Sequence, residues 1–281
     1  MIQQIPPILN IVLLSLVASL GTGLGGLIAV MHVPGKRLYG FLMGIAAGVM
    51  ICLSFLELLN EAWEQAGFVT TTLGFGAGAS FMLLLDYFAP HMRFGEQEVR
   101  QHPEHTPAST QQTALHGRHR FGRLRRQNGV VDQKLINTGL LLAVGITLHN
   151  LPEGIAVGAG YLYNPQFGVF IAMAILLHNI PEGIATALPL CKGGVCRSDA
   201  LRVAFLSGMA EPVGALIASL FLVRFQGLVP AALAFAGGVM VFITLDELIP
   251  TAREYGHEHY TALGIILGSM FVFVLSGLFG V

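Results

Sequence analysis

Long apolar stretches alternate with shorter polar connections along this chain. Each stretch is about 20 residues long, which is the length of a helix that spans the hydrocarbon core of a bilayer. The apolar runs are continuous and do not alternate with a period of two, so they favour helices over the strands of a membrane barrel. They cover residues 8–31, 39–60, 69–88, 135–159, 168–190, 200–223, 229–250 and 260–281. The pattern predicts an all-α membrane protein with eight transmembrane helices.

Composition supports a lipid environment. Hydrophobic residues make up 54% of the chain and charged residues 11%, whereas a soluble domain carries about 25% charged residues. The lipid bilayer is therefore an expected partner. The formal net charge of -1 gives no electrostatic basis for a nucleic-acid partner.

The basic residues lie almost entirely on one side of the predicted spans. Of the 15 Lys and Arg residues, all but Arg224 fall in the odd-numbered connections, which begin with the one after span 1. Because Lys and Arg accumulate in cytoplasmic loops, the odd-numbered connections are expected to be cytoplasmic. Both termini are then external.

An internal repeat links the two ends of the chain. Residues 47–65 align with residues 237–255 at an offset of 190, and the same offset carries "TTLGFGAG" onto "TALGIILG". Spans 1 to 3 (1–88) therefore look duplicated as spans 6 to 8 (200–281), and an odd number of spans between the two starts inverts one copy in the membrane. Spans 4 and 5 (135–190) form a middle pair. The expected architecture is an inverted 3+2+3 repeat, typical of secondary transporters with a substrate site at the repeat interface.

Two related hexapeptides occupy the middle pair: "HNLPEG" begins at His149 and "HNIPEG" at His178. In a helix, His149 and Glu153 lie four residues apart on one face, and His178 and Glu182 repeat this spacing on the neighbouring span. Two imidazoles and two carboxylates form a ligand set that borderline divalent metals favour. The sequence predicts a metal site between spans 4 and 5.

The other hexapeptide positions add to this hypothesis. Pro152 and Pro181 each remove a backbone donor and free the carbonyl four residues earlier, which is tolerated at membrane depth in a cavity or inside protein. Asn150 and Asn179 are turned about 100° from the histidines. They could serve a second ion beside the first.

Four further acidic residues inside predicted spans are candidates for a function. Glu211 precedes a proline in span 6, whereas Glu57, Asp246 and Glu247 are expected near the cytoplasmic ends of spans 2 and 7. Ionisable groups inside a membrane are functional candidates. The alternative is that each is a structural, hydrogen-bonded group in a helix bundle.

These features together resemble the ZIP (Zrt-, Irt-like) metal transporters, and among them the bacterial ZupT-like branch. The resemblance rests on the paired "HNLPEG" and "HNIPEG", "MAEP" in span 6, eight spans, outward termini and a histidine-bearing loop after span 3. It covers nearly the whole chain. It implies a binuclear site with bridging glutamates, and an exit route at Asp246 and Glu247 to which Glu57 is added as a further candidate. The first metal would be bound by His149, Glu153, His178 and Glu182, and the second completed by Asn150, Asn179 and Glu211.

The connection at 89–134 is a segment with several histidines and few apolar residues. Such a composition is typical of a disordered segment. Its histidines are His91, His102, His105, His116 and His119. A loose chelating relay for metal and a solvated linker are both consistent with their spacing.

The most consistent hypothesis is a transporter that imports divalent metal ions, Zn²⁺ first and also Fe²⁺, Mn²⁺, Co²⁺ or Cd²⁺, across a bacterial plasma (inner) membrane. Metal is its substrate, and no catalytic cofactor is expected. A monomer and a homodimer both remain open. The alternative is an intramembrane zinc-dependent hydrolase, because bound zinc can activate water. Four protein ligands would close such a site, and an enzyme does not explain the repeat.

Overall fold

The computed structural model describes residues 7–88, 132–255 and 258–281. Within these ranges the chain forms ten α-helices, together with π-helical segments at Leu53–Leu58 and Thr244–Leu248 and a short 3-10 helix at Gln226–Leu228. The α-helices are α1 (Pro7–Met31), α2 (Lys36–Cys52), α3 (Leu59–Phe88), α4 (Gln133–Tyr163), α5 (Pro165–Lys192), α6 (Arg197–Gly208), α7 (Ala210–Arg224), α8 (Val229–Ile243), α9 (Ile249–Tyr255) and α10 (Glu258–Phe279).

Seven helical segments of the described chain are long and apolar enough to cross a membrane. They are Pro7–Met31, Lys36–Tyr87, Gln133–Tyr163, Pro165–Lys192, Arg197–Arg224, Gln226–Glu254 and Glu258–Phe279. The sequence predicted eight spans. The difference arises in Lys36–Tyr87, a stretch of 52 residues that counts as one segment because only Gly67 separates its helices, where two spans were expected.

This long segment folds back on itself at Gly67. Gly67 has φ 74° and ψ 177° inside α3, a backbone conformation that residues with a Cβ rarely adopt. The rings of Phe55 and Phe75 lie 6.2 Å apart across the turn. In a straight helix, 20 residues would separate them by about 30 Å, so the chain reverses direction between them.

Polar residues at the helix ends define the helices around the middle pair. Asp132 caps α4 by accepting hydrogen bonds from the backbone N–H groups of Lys134 and Leu135. Asn164 caps α5 in the same way, with Pro165 in its first turn. The predicted loop at 89–134 therefore ends earlier than expected, because residues 133 and 134 already belong to α4. Its five histidines lie outside the described residues.

The helices pack in two groups. α1, α4, α5, α6 and α7 contact one another around the hexapeptides, whereas α3 packs on α8 and α10 packs on α2. Contacts of α4 with α8 and of α2 with α5 join the groups. Small residues carry much of the close packing, as expected for helices that associate in lipid.

The second group contains matched features at the offset found in the sequence. Its two π-helical segments, Leu53–Leu58 and Thr244–Leu248, overlap when one is shifted by that offset. A Cβ added at Gly48 would collide with the carbonyl oxygen of Ile265, and one added at Gly238 would collide with that of Phe75. Ile265 and Phe75 are themselves related by the same offset. Both contacts therefore use equivalent glycines and equivalent carbonyls.

Candidate metal centre

The two hexapeptides meet in the interior of the first helix group. α4 and α5 continue through Pro152 and Pro181 as helices, so each keeps its histidine and glutamate four residues apart on one face. His149, Glu153, His178 and Glu182 are each at most 2% exposed. One ligand atom from each of the four lies within 4.8 Å of the others.

The distances among these four side chains suit a small divalent ion. Nε2 of His149 lies 2.9 Å from Oε1 of Glu153 and 3.0 Å from Oε1 of Glu182. Nε2 of His178 lies 2.7 Å and 3.4 Å from the same two oxygens. Ligand atoms about 2.1 Å from a tetrahedral zinc ion lie roughly 3.4 Å apart, so a few tenths of an ångström of expansion would accommodate the ion.

Two glycines allow the neighbouring helices to approach this group. A Cβ added at Gly154 would collide with the carbonyl oxygen of Glu211, and one added at Gly183 would collide with that of Thr22. The two glycines hold the same position in their hexapeptides. Thr22 and Glu211 are 189 positions apart, one fewer than the offset of 190 that defines the internal repeat. α1 and α7 therefore approach the site in equivalent ways, with Thr22 and Glu211 at matched positions.

The two asparagines present oxygen atoms beside the four ligands. The Asn150 side-chain amide donates to the carbonyl of Ser207 at 3.0 Å, and the Asn179 amide donates to the carbonyl of Ala18 at 3.1 Å. These bonds orient both amides. Oδ1 of each asparagine is left buried without a hydrogen-bond partner, as is Oε2 of both hexapeptide glutamates. Oxygen atoms of this kind, buried without a partner, are available as ligands for a cation.

Glu211 lies next to the four-ligand group but is not part of it. It is fully buried, and Glu153 and Glu182 are among its charged neighbours. Its Oε2 accepts a hydrogen bond from Asn179 at 2.8 Å, and its Oε1 accepts one from the hydroxyl of Ser15 at 3.1 Å. Glu211 is thus held by two hydrogen bonds, with both hexapeptide glutamates among its charged neighbours.

The predicted exit residues differ in their surroundings. Glu247 is half-buried and its charged neighbours include His149 and Glu182, so it adjoins the metal centre, whereas Asp246 is exposed. Glu57 is also half-buried, and its charged neighbour is Glu61. The structure does not bring Glu57 to the centre.

Glu57 and Glu247 are close to opposite ends of the second helix group. Arg37, at the start of α2, lies over the ring of Tyr260 beside the connection between α9 and α10. Glu57 is 20 residues further along, which is about 30 Å at 1.5 Å per residue, whereas Glu247 is only eight residues before the end of α9. Glu57 and Glu247 therefore have different surroundings within this group. A shared exit route of Glu57 with Asp246 and Glu247 stays a prediction.

Sequence reasoning also missed Ser15. Serines are common on apolar helices, where many hydroxyls return to the backbone of the same helix. Ser15 carries no motif, and its partner lies 196 residues away. Only the packing of α1 against α7 reveals the contact.

The fold and the site together define a class: an integral membrane protein of several helices with a buried group of histidine and glutamate that can hold a metal. The family model described as "ZIP Zinc transporter" matches residues 91–276. The chain belongs to this family. The family is one of transporters, which sets aside the hydrolase alternative.

Similar proteins come from bacteria and from a plant. "Zinc transporter ZupT" of Akkermansia muciniphila is 38% identical over 279 residues, which cover 95% of this chain and 97% of the relative. "Zinc transporter ZupT" of Corynebacterium aurimucosum is also 38% identical, covering 95% and 96%. "Zinc transporter ZTP29" of Arabidopsis thaliana is 35% identical, covering 91% and 89%. The similarity therefore extends over nearly the whole chain.

Proposed function

We propose that this protein imports zinc into the cytoplasm through a binuclear site inside the membrane, with Fe²⁺, Mn²⁺, Co²⁺ and Cd²⁺ as further candidate substrates. His149, Glu153, His178 and Glu182 bind the first ion. Asn150, Asn179 and Glu211 complete the second, and the two hexapeptide glutamates bridge both ions. The names of the similar proteins, which are zinc transporters, support the choice of zinc.

The observation that carries the proposal is the division of oxygens within each hexapeptide glutamate. Oε1 of Glu153 and of Glu182 faces the two imidazoles, whereas Oε2 of each is buried without a partner. A carboxylate in this position can bind one ion through each oxygen. An ion that moves from one site to the other would then keep a ligand throughout the step.

The proposed architecture has eight crossings and an inverted repeat. The reversal at Gly67 and the matched contacts of Gly48 and Gly238 support it. The proposed location is a bacterial inner membrane with both termini outside, because basic residues accumulate on the cytoplasmic side.

Zinc flux into liposomes tests the function. The full chain is reconstituted around an entrapped zinc indicator, and uptake is compared for the wild type, Glu182→Ala and the control Glu258→Ala, an exposed glutamate at the start of α10. We expect uptake by the wild type and the control, and uptake at the level of protein-free liposomes for Glu182→Ala. No flux by folded wild-type protein would contradict the proposal.

Thiol labelling tests the orientation. Single cysteines at residues 3 and 110 are placed in a background without native cysteines and exposed to an impermeant reagent in intact cells. We expect labelling at residue 3 only. Efficient labelling at residue 110 would overturn the orientation but not the transport activity.

A further inference from the structure

Ser15 makes a long-range hydrogen bond, although it is not itself one of the predicted ligands. It is fully buried on α1, and its hydroxyl donates to Oε1 of Glu211 on α7 at 3.1 Å. Ser19, one turn further along α1, is also buried, but its hydroxyl donates to the carbonyl of Leu16 at 2.9 Å. The two serines have the same chemistry and similar burial. Only Ser15 contacts a proposed ligand.

Ser15 and Asn179 together constrain the Glu211 carboxylate. One donor reaches Oε1 from α1 and the other reaches Oε2 from α5, so the carboxylate cannot rotate without losing at least one bond. Each carboxylate oxygen has two lone pairs. Each oxygen of Glu211 therefore keeps a lone pair for a cation while its donor stays in place.

The residues that match Ser15 and Glu211 in the other half of the repeat are chemically different. At the offset that relates Thr22 to Glu211, the counterpart of Ser15 is Ala204. Neither Ala204 nor Thr22 has the chemistry for this contact, because alanine has no hydroxyl and threonine no carboxylate. The contact is therefore not a product of the common packing.

We propose that Ser15 is a positioning residue for the second ion: its hydroxyl holds the Glu211 carboxylate in the orientation that binds this ion, and it does not touch the first. This inference rests on the binuclear site proposed above. Partners that orient metal ligands typically contribute 10–100-fold in metal affinity or activity. Removing the Ser15 hydroxyl should lower the affinity for the second ion by roughly tenfold.

Zinc titration of the purified full-length protein tests this inference, with Ser15→Ala compared with Ser19→Ala. We expect the wild-type chain to bind two zinc ions. Ser15→Ala should bind the second ion with roughly tenfold lower affinity, and Ser19→Ala should bind both as the wild type does. Binding of the first ion should be unchanged in both and serves as the measure of correct folding. Ser15→Thr keeps a hydroxyl and should restore the second ion.

A double variant separates positioning from packing. In a Glu211→Ala background, which should retain slowed uptake, Ser15→Ala should cause no further loss of zinc uptake, because its partner is absent. Equal effects of Ser15→Ala and Ser19→Ala, a weakened first ion in Ser15→Ala, or additive effects in the double variant would each overturn the inference. If the wild type binds a single zinc ion, the binuclear proposal itself fails. If it binds two and Ser15→Ala matches it, only the role of Ser15 fails.

Discussion

The two helix groups differ in whether residues at matched positions are also chemically alike. In the group of α2, α3, α8 and α10, Gly48 and Gly238 meet equivalent carbonyls and both halves contain a π-helical segment. Around the metal centre the backbone contacts of Gly154 and Gly183 are also matched, yet they meet Glu211 on one side and Thr22 on the other. Helix packing tolerates little change where backbones touch. Side chains that face the centre are free to differ, and the proposed second ion site uses that difference.

Substitutions in the two hexapeptides should have the largest effect on uptake, and they test whether the matched histidines and glutamates contribute equally. His149→Ala and Glu153→Ala should each abolish zinc uptake, and His178→Ala and Glu182→Ala should do so equally. Each removes one of four ligands from a buried group, and the glutamate variants also leave each imidazole with one carboxylate neighbour in place of two. The measurement is zinc flux into liposomes at equal protein content. Retention of wild-type flux by one member of a pair would show that the two halves do not contribute equally.

The glycine contacts test the matched packing. Gly48→Ala and Gly238→Ala should each lower the free energy of unfolding by about 1–3 kcal/mol, as overpacking does, because the new Cβ would collide with a carbonyl oxygen. The two losses should be similar. Gly76→Ala is the control, since a Cβ there meets nothing within 4 Å. Thermal unfolding in detergent measures the effect, and a clear difference between Gly48→Ala and Gly238→Ala would argue against equivalent positions.

Glu211 and Thr22 test the unmatched part of the site. Glu211→Ala should leave the first zinc ion bound, remove the second and slow uptake by roughly tenfold or more, since loss of a ligand should cost at least as much as loss of the group that orients it. Thr22→Ala at the matched position should change uptake much less. The measurement is zinc stoichiometry beside flux for both variants. Loss of the first ion in Glu211→Ala would mean that the two ion sites are not separable.

Glu57 and Glu247, the acidic residues of the π-helical segments, test whether the charge of each segment affects the metal centre. Glu247→Gln should slow uptake by roughly fivefold, because its charge adjoins His149 and Glu182 and electrostatic interactions are strong in a partly buried site. Glu57→Gln should have a smaller effect, since its charged neighbour is Glu61. Initial rates over a range of zinc concentrations distinguish the two. A larger effect of Glu57→Gln would reverse this assignment.

The smallest effect is expected in the connection between spans 3 and 4. Replacing His102, His105, His116 and His119 together by serine should leave substantial uptake, because their spacing matches no tetrahedral ligand motif. Uptake by cells with equal expression is the measurement. Complete loss of uptake would show that the connection takes part in transport itself.

Much of the site followed from short-range spacing. His149 and Glu153 must share a face of any helix that contains them, because the α-helix has a fixed period. The same holds for His178 and Glu182, so the four-ligand group required only that α4 and α5 be neighbours. The internal repeat likewise identified the equivalent positions of α2 and α8 before their contacts were known.

The sequence by itself therefore determined the membrane class, the grouping of the hexapeptide histidines and glutamates, and the matched positions, because these depend on composition, helical period and duplication. Only the tertiary structure decided that Ser15 donates to Glu211, that Glu57 and Glu247 have different charged neighbours, and that the reversal between spans 2 and 3 is made by Gly67 alone, with helix on both sides. Each of these depends on how distant helices pack and on the direction in which each one runs. Hydrophobic pattern does not encode the rotation of a helix whose surface is apolar on all sides, and a lone serine on such a helix carries no sequence signal of the partner that it meets.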